Sequence, residues 1–288
     1  MMWVYVNGQF VKQEDAVISV FDQGFLYGDG VFETLRAYQG RLFLPERHIA
    51  RLHRSCARIG IAASLPENDW VSVLEEVLSR NQLQESLLRI TITRGEGTAG
   101  QLFSSAATPT VVVCPRAIPE LPRSLHQEGV SVALLQIRRN ASSAIPAEVK
   151  SLNFLNNILA KREASQQGAY EGLMLNMEGF VAEGATSNVF FVESGRLCTP
   201  SLACGILPGV TREVVIQLAR EAGIPIEEGS YEPERLISVD ECFLTNTAVQ
   251  ILPVKEIDHC QIGAGCSGSI TMRLQAGYQQ MIAQALEG

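Results

Sequence analysis

Glu148-Val149-Lys150-Ser151-Leu152-Asn153-Phe154-Leu155-Asn156-Asn157 lies near the middle of the chain, where one lysine precedes an apolar helical run. Lysine is scarce: it occurs only at Lys12, Lys150, Lys161 and Lys255 in 288 residues, and arginine carries the remaining positive charge. A surface in need of cations accepts either residue, whereas an amine that must lose its proton and attack a carbonyl has to be lysine. Upstream, Val130 to Ile137 is an apolar, β-branched run that reads as a strand, followed by a polar loop through Pro146. Downstream, Leu152, Leu155, Ile158 and Leu159 recur at helical spacing. Lys150 is thus expected at a loop-to-helix junction, where the positive end of the helix dipole disfavours a protonated amine. Read alone, the residue is also a solvated lysine at a helix start.

The length allows two lobes or one large α/β unit with an ample core. A hydrophobic content of 46% and a mean hydropathy of +0.10 indicate a globular chain. No apolar run reaches the length of a membrane-spanning helix, and the first residues lack the basic-then-apolar signal pattern, so a cytoplasmic protein off the membrane is expected. A net charge of -8 argues against a nucleic-acid surface. The seven cysteines are odd in number and form no CxxC pair, which excludes a disulfide framework and points to reduced core thiols. His48, His53, His126 and His259 show no metal-ligand spacing, so no metal is expected.

Outward from the central stretch, Trp3 to Val11 reads as a hairpin about Asn7-Gly8. Gly24, Gly28 and Gly30 fall within seven residues of a hydrophobic segment, which implies a tightly folded backbone or a close approach by another group. Pro45 and Glu46 open a helix ended by Gly60, whose apolar stripe of Leu52, Ser55 and Ile59 also carries Arg51. Such an arginine either snorkels outward or binds an anion. A second helix covers Glu67 to Asn81, and Leu87 to Arg94 and Val111 to Cys114 read as strands around a loop at 95–100. Prolines 115, 119 and 122 mark an interdomain linker, with domains over 1–115 and 126–288 and the linker over 116–125.

In the second half, residues 172–176, 180–183 and 188–192 read as a meander. Glu183 sits among apolar residues and is followed by the small polar run Gly184-Ala185-Thr186-Ser187. Gly205 to Arg212 leads into an amphipathic helix whose amides and Thr211 hydroxyl form a phosphate cradle, and Thr245-Asn246-Thr247-Ala248 makes a second small polar turn. A lysine, a carboxylate in an apolar setting, an arginine on a helix face and two such turns suit pyridoxal phosphate. The same parts could serve a sugar phosphate or be structural.

Six motifs together resemble the class IV, fold type IV, pyridoxal-phosphate aminotransferases, a family that includes branched-chain and D-amino acid aminotransferases, (R)-amine transaminases and aminodeoxychorismate lyases. They are Tyr27-Gly28-Asp29-Gly30-Val31-Phe32-Glu33, His48-Ile49-Ala50-Arg51-Leu52, Lys150-Ser151-Leu152-Asn153, Glu183 to Asn188, Gly205 to Arg212 and Thr245 to Ala248. The resemblance implies an α/β chain with α+β elements: a small N-terminal α/β domain and a larger pseudo-barrel domain. It implies Lys150 as the Schiff-base lysine and Glu183 as partner of the pyridine nitrogen of pyridoxal 5'-phosphate. Arg51, Thr211 and Thr247, with the amides of Val210 and Asn246, would hold the phosphate. Tyr27, Phe32, Thr34, Arg36, Arg89 and Ala248 would face the substrate. Phe154 falls where branched-chain enzymes place a tyrosine. A homodimer with a shared site follows from the same resemblance, the loop after Arg94 reaching the neighbour.

The expected reaction is transfer of an amino group between an amino acid or amine and a 2-oxo acid, on L-branched-chain or hydrophobic substrates. An aminodeoxychorismate lyase is the alternative, suggested by Thr34 and Lys150-Ser151-Leu152-Asn153 and opposed by Thr247-Ala248-Val249-Gln250. The D-amino acid branch is disfavoured, because its members carry an Arg-x-His pair in the loop after Arg94, and here that loop, through Gln101-Leu102, contains neither residue. An (R)-amine transaminase and a non-enzymatic binding protein rank below these.

Overall fold

Asn7 and Gly8 take positive φ values of 48° and 90° and join β1 (Trp3–Val6) to β2 (Gln9–Lys12) as a two-residue hairpin turn. The structure, a computed structural model, describes residues 2–62, 65, 67–97, 108–118 and 123–287, apart from the side chains of 67, 68, 117 and 123. By contacts the chain divides into two units, Met1–Pro119 with Val149–Phe154 and Ala285–Gly288, and Glu120–Glu148 with Leu155–Gln284. No helix among the described residues is long and apolar enough to cross a membrane.

In the first unit, α1 (Gln23–Tyr27) is capped by Asp22, whose Oδ1 accepts from the amides of Gly24 and Phe25 at 2.8 and 3.3 Å. Gly28, at φ 70°, ends that turn. There follow β3 (Gly30–Tyr38), β4 (Arg41–Leu42), α2 (Pro45–Arg58), α3 (Glu67–Asn81), β5 (Ser86–Thr93) and β6 (Thr110–Ala117). The strands form one antiparallel sheet in the order β2-β1-β6-β5-β3-β4. Alternation along β3 sends Val31, Leu35 and Ala37 into a core with Ile90 and Ile92 of β5, Ile49 and Leu52 of α2, and Trp70 and Leu74 of α3. Each fully buried large side chain there contributes about 1.5–3 kcal/mol.

Glu33 follows the same alternation and is the one carboxylate among these β3 core positions. Arg51 of α2 does not snorkel: it is 4% exposed, and its Nε and Nη2 donate to Glu33 Oε1 and Oε2 at 2.6 and 2.9 Å. His48 Nδ1 lies 2.9 Å from Glu33 Oε2. Burial alone would raise the Glu33 carboxyl, but the Arg51 charge and the hydrogen bonds from His48 and Arg51 outweigh it and hold the group well below the usual carboxylate range. Burial lowers His48 against the pull of Glu33, so the imidazole is neutral and Nδ1 carries the proton donated to the carboxylate.

The segment 149–154 departs from the sequence-based domain limits, which assign it with all of 126–288 to the second domain. The cause is backbone pairing: Phe32 N donates to Lys150 O and Leu152 N to Gly30 O, both at 2.9 Å, and Ser151 bridges Val31. Lys150 therefore sits on a strand-like extension of β3 and not at a helix start. α5 (Leu155–Gln166) begins five residues later, which removes the dipole argument for its amine. The apolar face read from the sequence also points elsewhere. Leu155, Ile158 and Leu159 are 64%, 57% and 40% exposed, while Asn157, Ala160 and Ala164 are buried.

The second unit contains α4 (Arg123–Glu128), β7 (Val130–Leu134), α5, β8 (Glu171–Leu175), β9 (Val181–Gly184), β10 (Asn188–Glu193), β11 (Arg196–Pro200), α6 (Val210–Glu221), β12 (Ile226–Gly229), β13 (Glu241–Asn246), β14 (Gln250–Ile257), β15 (Cys260–Gln261) and α7 (Ser269–Glu287). Its sheet runs β12-β11-β10-β13-β14-β7-β8-β9, with β15 paired to β14. Gly184 N donates to Ser187 O at 2.7 Å, so the terminal strand β9 curls back beside β10, giving a half-barrel. Val130, Leu173, Val189, Phe191, Leu244 and Leu252 fill it.

A Cβ on Gly30 would stand 2.5 Å from Ile92 O and 2.6 Å from Leu152 Cδ1. Gly30→Ala is accordingly expected to destabilise the protein by about 1–3 kcal/mol, read as a lower urea midpoint; an unchanged midpoint would contradict the close approach. Glu33, depressed on folding, contributes stability that is present above its unfolded value of about 4.3 and lost as pH falls below it. His48, also depressed, adds a loss that starts below about 6.5, because only the unfolded chain takes up that proton. Melting temperature should fall with pH from about 6.5 downward, and His48→Gln should flatten the upper part of the decline; parallel profiles for the two proteins would reject the assignment.

Candidate active site

Two sets of groups, one on each unit, account for the residues singled out in the sequence. On the first unit, Lys150 is held through its main chain. Its carbonyl accepts from Phe32 N, and its amide donates to Ser55 Oγ of α2 at 3.3 Å. Lys150 Nζ lies 4.6 Å from the centroid of the Phe32 ring, and Arg89 Cζ lies 3.8 Å from the same centroid. Phe154 meets Phe32 edge-on at 5.5 Å, so an apolar ring stands where the resemblance expects a tyrosine hydroxyl.

Register places Thr34 opposite Arg89 and Arg36 opposite Leu87, with Arg89 in turn opposite Cys114. Phe32, Thr34, Arg36 and Arg89 thus share the face of the sheet away from α2 and α3. Burial lowers Arg89, and the Arg116 charge adds to it while Cys114 opposes it. Arg36 pairs with Glu85 at 3.5 Å. Tyr27 is 57% exposed at the end of α1. The adjacent Asp29 is clamped by Arg94, whose Nε stands 2.6 Å from Oδ2 while its other nitrogens donate to the carbonyls of Ile59 and Gly60. Most of the loop after Arg94, residues 98–107, lies outside the described residues.

On the second unit, Glu183 is buried at the end of β9. Asn188 Nδ2 and Leu207 N donate to its Oε2 at 3.2 and 3.0 Å, and Arg139 Nε stands 2.8 Å from Oε1 as an ion pair without hydrogen-bond alignment. These donors favour the ionised carboxylate. The Gly184–Ser187 turn is braced from both sides: Thr186 Oγ1 donates to Glu171 at 2.6 Å, and Asn157 of α5 donates to Ala185 O at 2.8 Å.

Asn188 joins the cradle to this carboxylate. It pairs with Thr245 of β13, and its Nδ2 also donates to Leu207 O at 3.0 Å. A Cβ on Gly209 would stand 2.1 Å from Asn188 Oδ1, so the approach to α6 requires glycine. Gly209 caps α6 without a side-chain hydrogen bond, which leaves the amides of Val210 and Thr211 unsatisfied by any cap. Thr211 is buried in the first turn. Asn246 Oδ1 accepts from the amides of Ala248 and Val249, both at 2.9 Å, and so shapes the turn that carries Thr247.

Arg139, Asn188, Glu33 and His48 had no assigned role in the sequence. Glu33 left a signal, as a carboxylate in phase with Val31 and Leu35, matching the arginine on the apolar stripe of α2. Asn188 closes a quoted motif. Arg139 sits in an irregular loop and left none.

An amine on paired backbone in the first unit, and a buried acid and a helix start without a side-chain cap in the second, are groups of the kinds that pyridoxal phosphate calls for. The family model for class IV aminotransferases matches residues 30–257. A protein of Methanocaldococcus jannaschii, provisionally described as a branched-chain-amino-acid aminotransferase, is 40% identical over 280 residues, covering 97% of this chain and 96% of that protein. The aminodeoxychorismate lyase of Bacillus subtilis is 37% identical over 281 residues, covering 97% and 94%. The solved branched-chain amino acid aminotransferase of Escherichia coli superposes with a TM-score of 0.93 at 30% identity, covering 97% of this chain and 94% of that one. With its mixed α/β architecture and fold type IV likeness, the chain belongs to the class IV aminotransferases.

Proposed function

We propose that the enzyme moves an amino group between a branched-chain or other hydrophobic L-amino acid and a 2-oxo acid, and that the two half-sets of residues serve one pyridoxal 5'-phosphate. The observation that carries this reading is Lys150, whose main chain is fixed on both sides while its amine lies against Phe32. When bound, the cofactor supplies an electron sink for the substrate Cα–H bond. Glu183, held ionised by Arg139, Asn188 and Leu207, keeps a proton on the ring nitrogen. Lys150 would hold the cofactor covalently and, once displaced by the incoming substrate amine, would carry the proton at the substrate Cα as acid and base. Arg51, Thr211, Thr247 and the amides of Val210 and Asn246 bind the phosphate. Phe32 and Phe154 give an apolar wall, and Arg89 offers a carboxylate partner, while Tyr27, Thr34, Arg36 and Ala248 complete the substrate-facing set.

A second reading as an aminodeoxychorismate lyase is supported by the Bacillus subtilis relative and by Thr34 standing opposite Arg89. A homodimer is supported by the exposed apolar side chains of Val17, Val20, Phe21, Phe25, Leu26 and Tyr27, which would be buried against a second copy. All seven cysteines are unpaired, which suits a reducing compartment, and we place the enzyme in the cytoplasm.

Incubation of the loaded enzyme with leucine, valine or glutamate should convert the cofactor from its aldehyde to its amine form, read by absorption. A spectrum that no donor moves, with pyruvate released from aminodeoxychorismate, would instead establish the lyase. Lys150→Ala should abolish covalent retention of the cofactor and lower turnover by about 10²- to 10⁴-fold through lost proton transfer alone, with the fold intact. Sizing in solution should return a dimer, and an active monomer would refute the shared site.

A further inference from the structure

We propose that Glu33 and His48 are positioning residues for cofactor recognition: they lock the Arg51 guanidinium into the one orientation in which it can receive the phosphate. The inference rests on the reading of Arg51 as a phosphate ligand given above. An arginine side chain leaves a helix on a long stem with many rotamers, and ordering it costs conformational entropy. Here that ordering is done in advance. Glu33 takes the Nε–Nη2 edge of Arg51 side-on, which fixes the plane of the guanidinium and the direction of Nη1. Glu33 is itself immobilised, because β3 carries it, Thr34 N donates to Oε2 at 3.2 Å and His48 Nδ1 donates to the same oxygen. Glu33, His48 and Arg51 are 0%, 2% and 4% exposed, so water does not compete for these bonds.

Stability alone is a poor reason for such a cluster. A buried ion pair is roughly neutral against apolar packing of the same volume, since desolvation offsets the attraction. What it does provide is a single geometry for a charged group. The neighbouring contacts show what that geometry serves: Ser55, one turn beyond Arg51 on α2, receives the Lys150 amide, so the same helix orients the arginine and the lysine backbone.

The test compares pyridoxal 5'-phosphate with pyridoxal, which lacks the phosphate, in equilibrium binding to the full-length apoprotein. Glu33→Gln is expected to weaken the phosphorylated form by about tenfold or more, as partners behind a ligand do, and to leave pyridoxal affinity unchanged. His48→Gln should move the ratio in the same direction by a smaller factor. A purely structural role would weaken both forms alike and overturn the proposal. Arg51→Gln separates the two levels. If it collapses the ratio while Glu33→Gln does not, positioning is refuted and the phosphate role of Arg51 stands; if it too leaves the ratio intact, both fall. Should Glu33→Gln fail to accumulate as folded protein, His48→Gln decides by the same ratio.

Discussion

Three backbone residues, Lys150 to Leu152, are added to β3 by main-chain hydrogen bonds, and the reactive amine inherits its rigidity from them. Side-chain anchoring would have left an unbranched lysine stem free to swing. Main-chain pairing instead fixes where the stem leaves, from a strand that is packed on its other face by α2 and α3. The segment arrives from about 120 positions further along the chain, and its loop-closure cost grows only slowly with that separation. The glycine at 30 follows from the same constraint, because Leu152 and the Ile92 carbonyl occupy the space a Cβ would need. A functional requirement at residue 150 thus becomes a steric requirement at residue 30.

Charge is arranged differently on the two units. On the first, Arg51 is neutralised within the core by Glu33 before any ligand arrives, and His48 stays uncharged beside it. The Phe32 face of that sheet holds Lys150, Arg36 and Arg89, so a chain with a net charge of -8 still gathers cations on one face. On the second unit the pattern inverts: the buried carboxylate of Glu183 is at the centre, and Arg139, Asn188 and the Leu207 amide surround it. In both cases a buried charged group is held in one orientation by neighbouring side chains and backbone before any ligand arrives. Preorganisation of this kind removes reorganisation cost at the moment of binding or reaction.

Local pattern made much of the fold legible. The Asn7-Gly8 hairpin, the helix from Pro45, the helix at Glu67–Asn81, the strands after Glu171 and the approach to α6 are all written in turn residues and periodicity, but the expected meander is not formed: β9 pairs with β8 at the end of the sheet, and β10 pairs with β11 and β13. Lys150 is where local reading failed, because nothing within ten residues of it shows that β3 takes its backbone hydrogen bonds. Leu155, Ile158 and Leu159 misled for a related reason: helical spacing reports that one face is apolar but not what covers it, and in α5 the buried face is made of Asn157, Ala160 and Ala164. Arg139 reaches Glu183 from an irregular loop, which has no period to read.

The exposed leucine face of α5 and the apolar run from Val17 to Tyr27 bear on why the chain tolerates such surfaces. Large apolar side chains at 40–78% exposure forgo much of the 1.5–3 kcal/mol that burial of each would contribute. Tyr27 belongs both to this run and to the motif that continues through Gly28, Asp29 and Gly30 into Phe32, where Arg94 clamps Asp29. This exposed run is therefore linked, through five residues of stiffened backbone, to the ring that Lys150 and Arg89 share. Were a partner to cover that run, its removal would loosen the support of Phe32 as well as expose apolar area, so assembly and the shape of the amine's surroundings would rise and fall together.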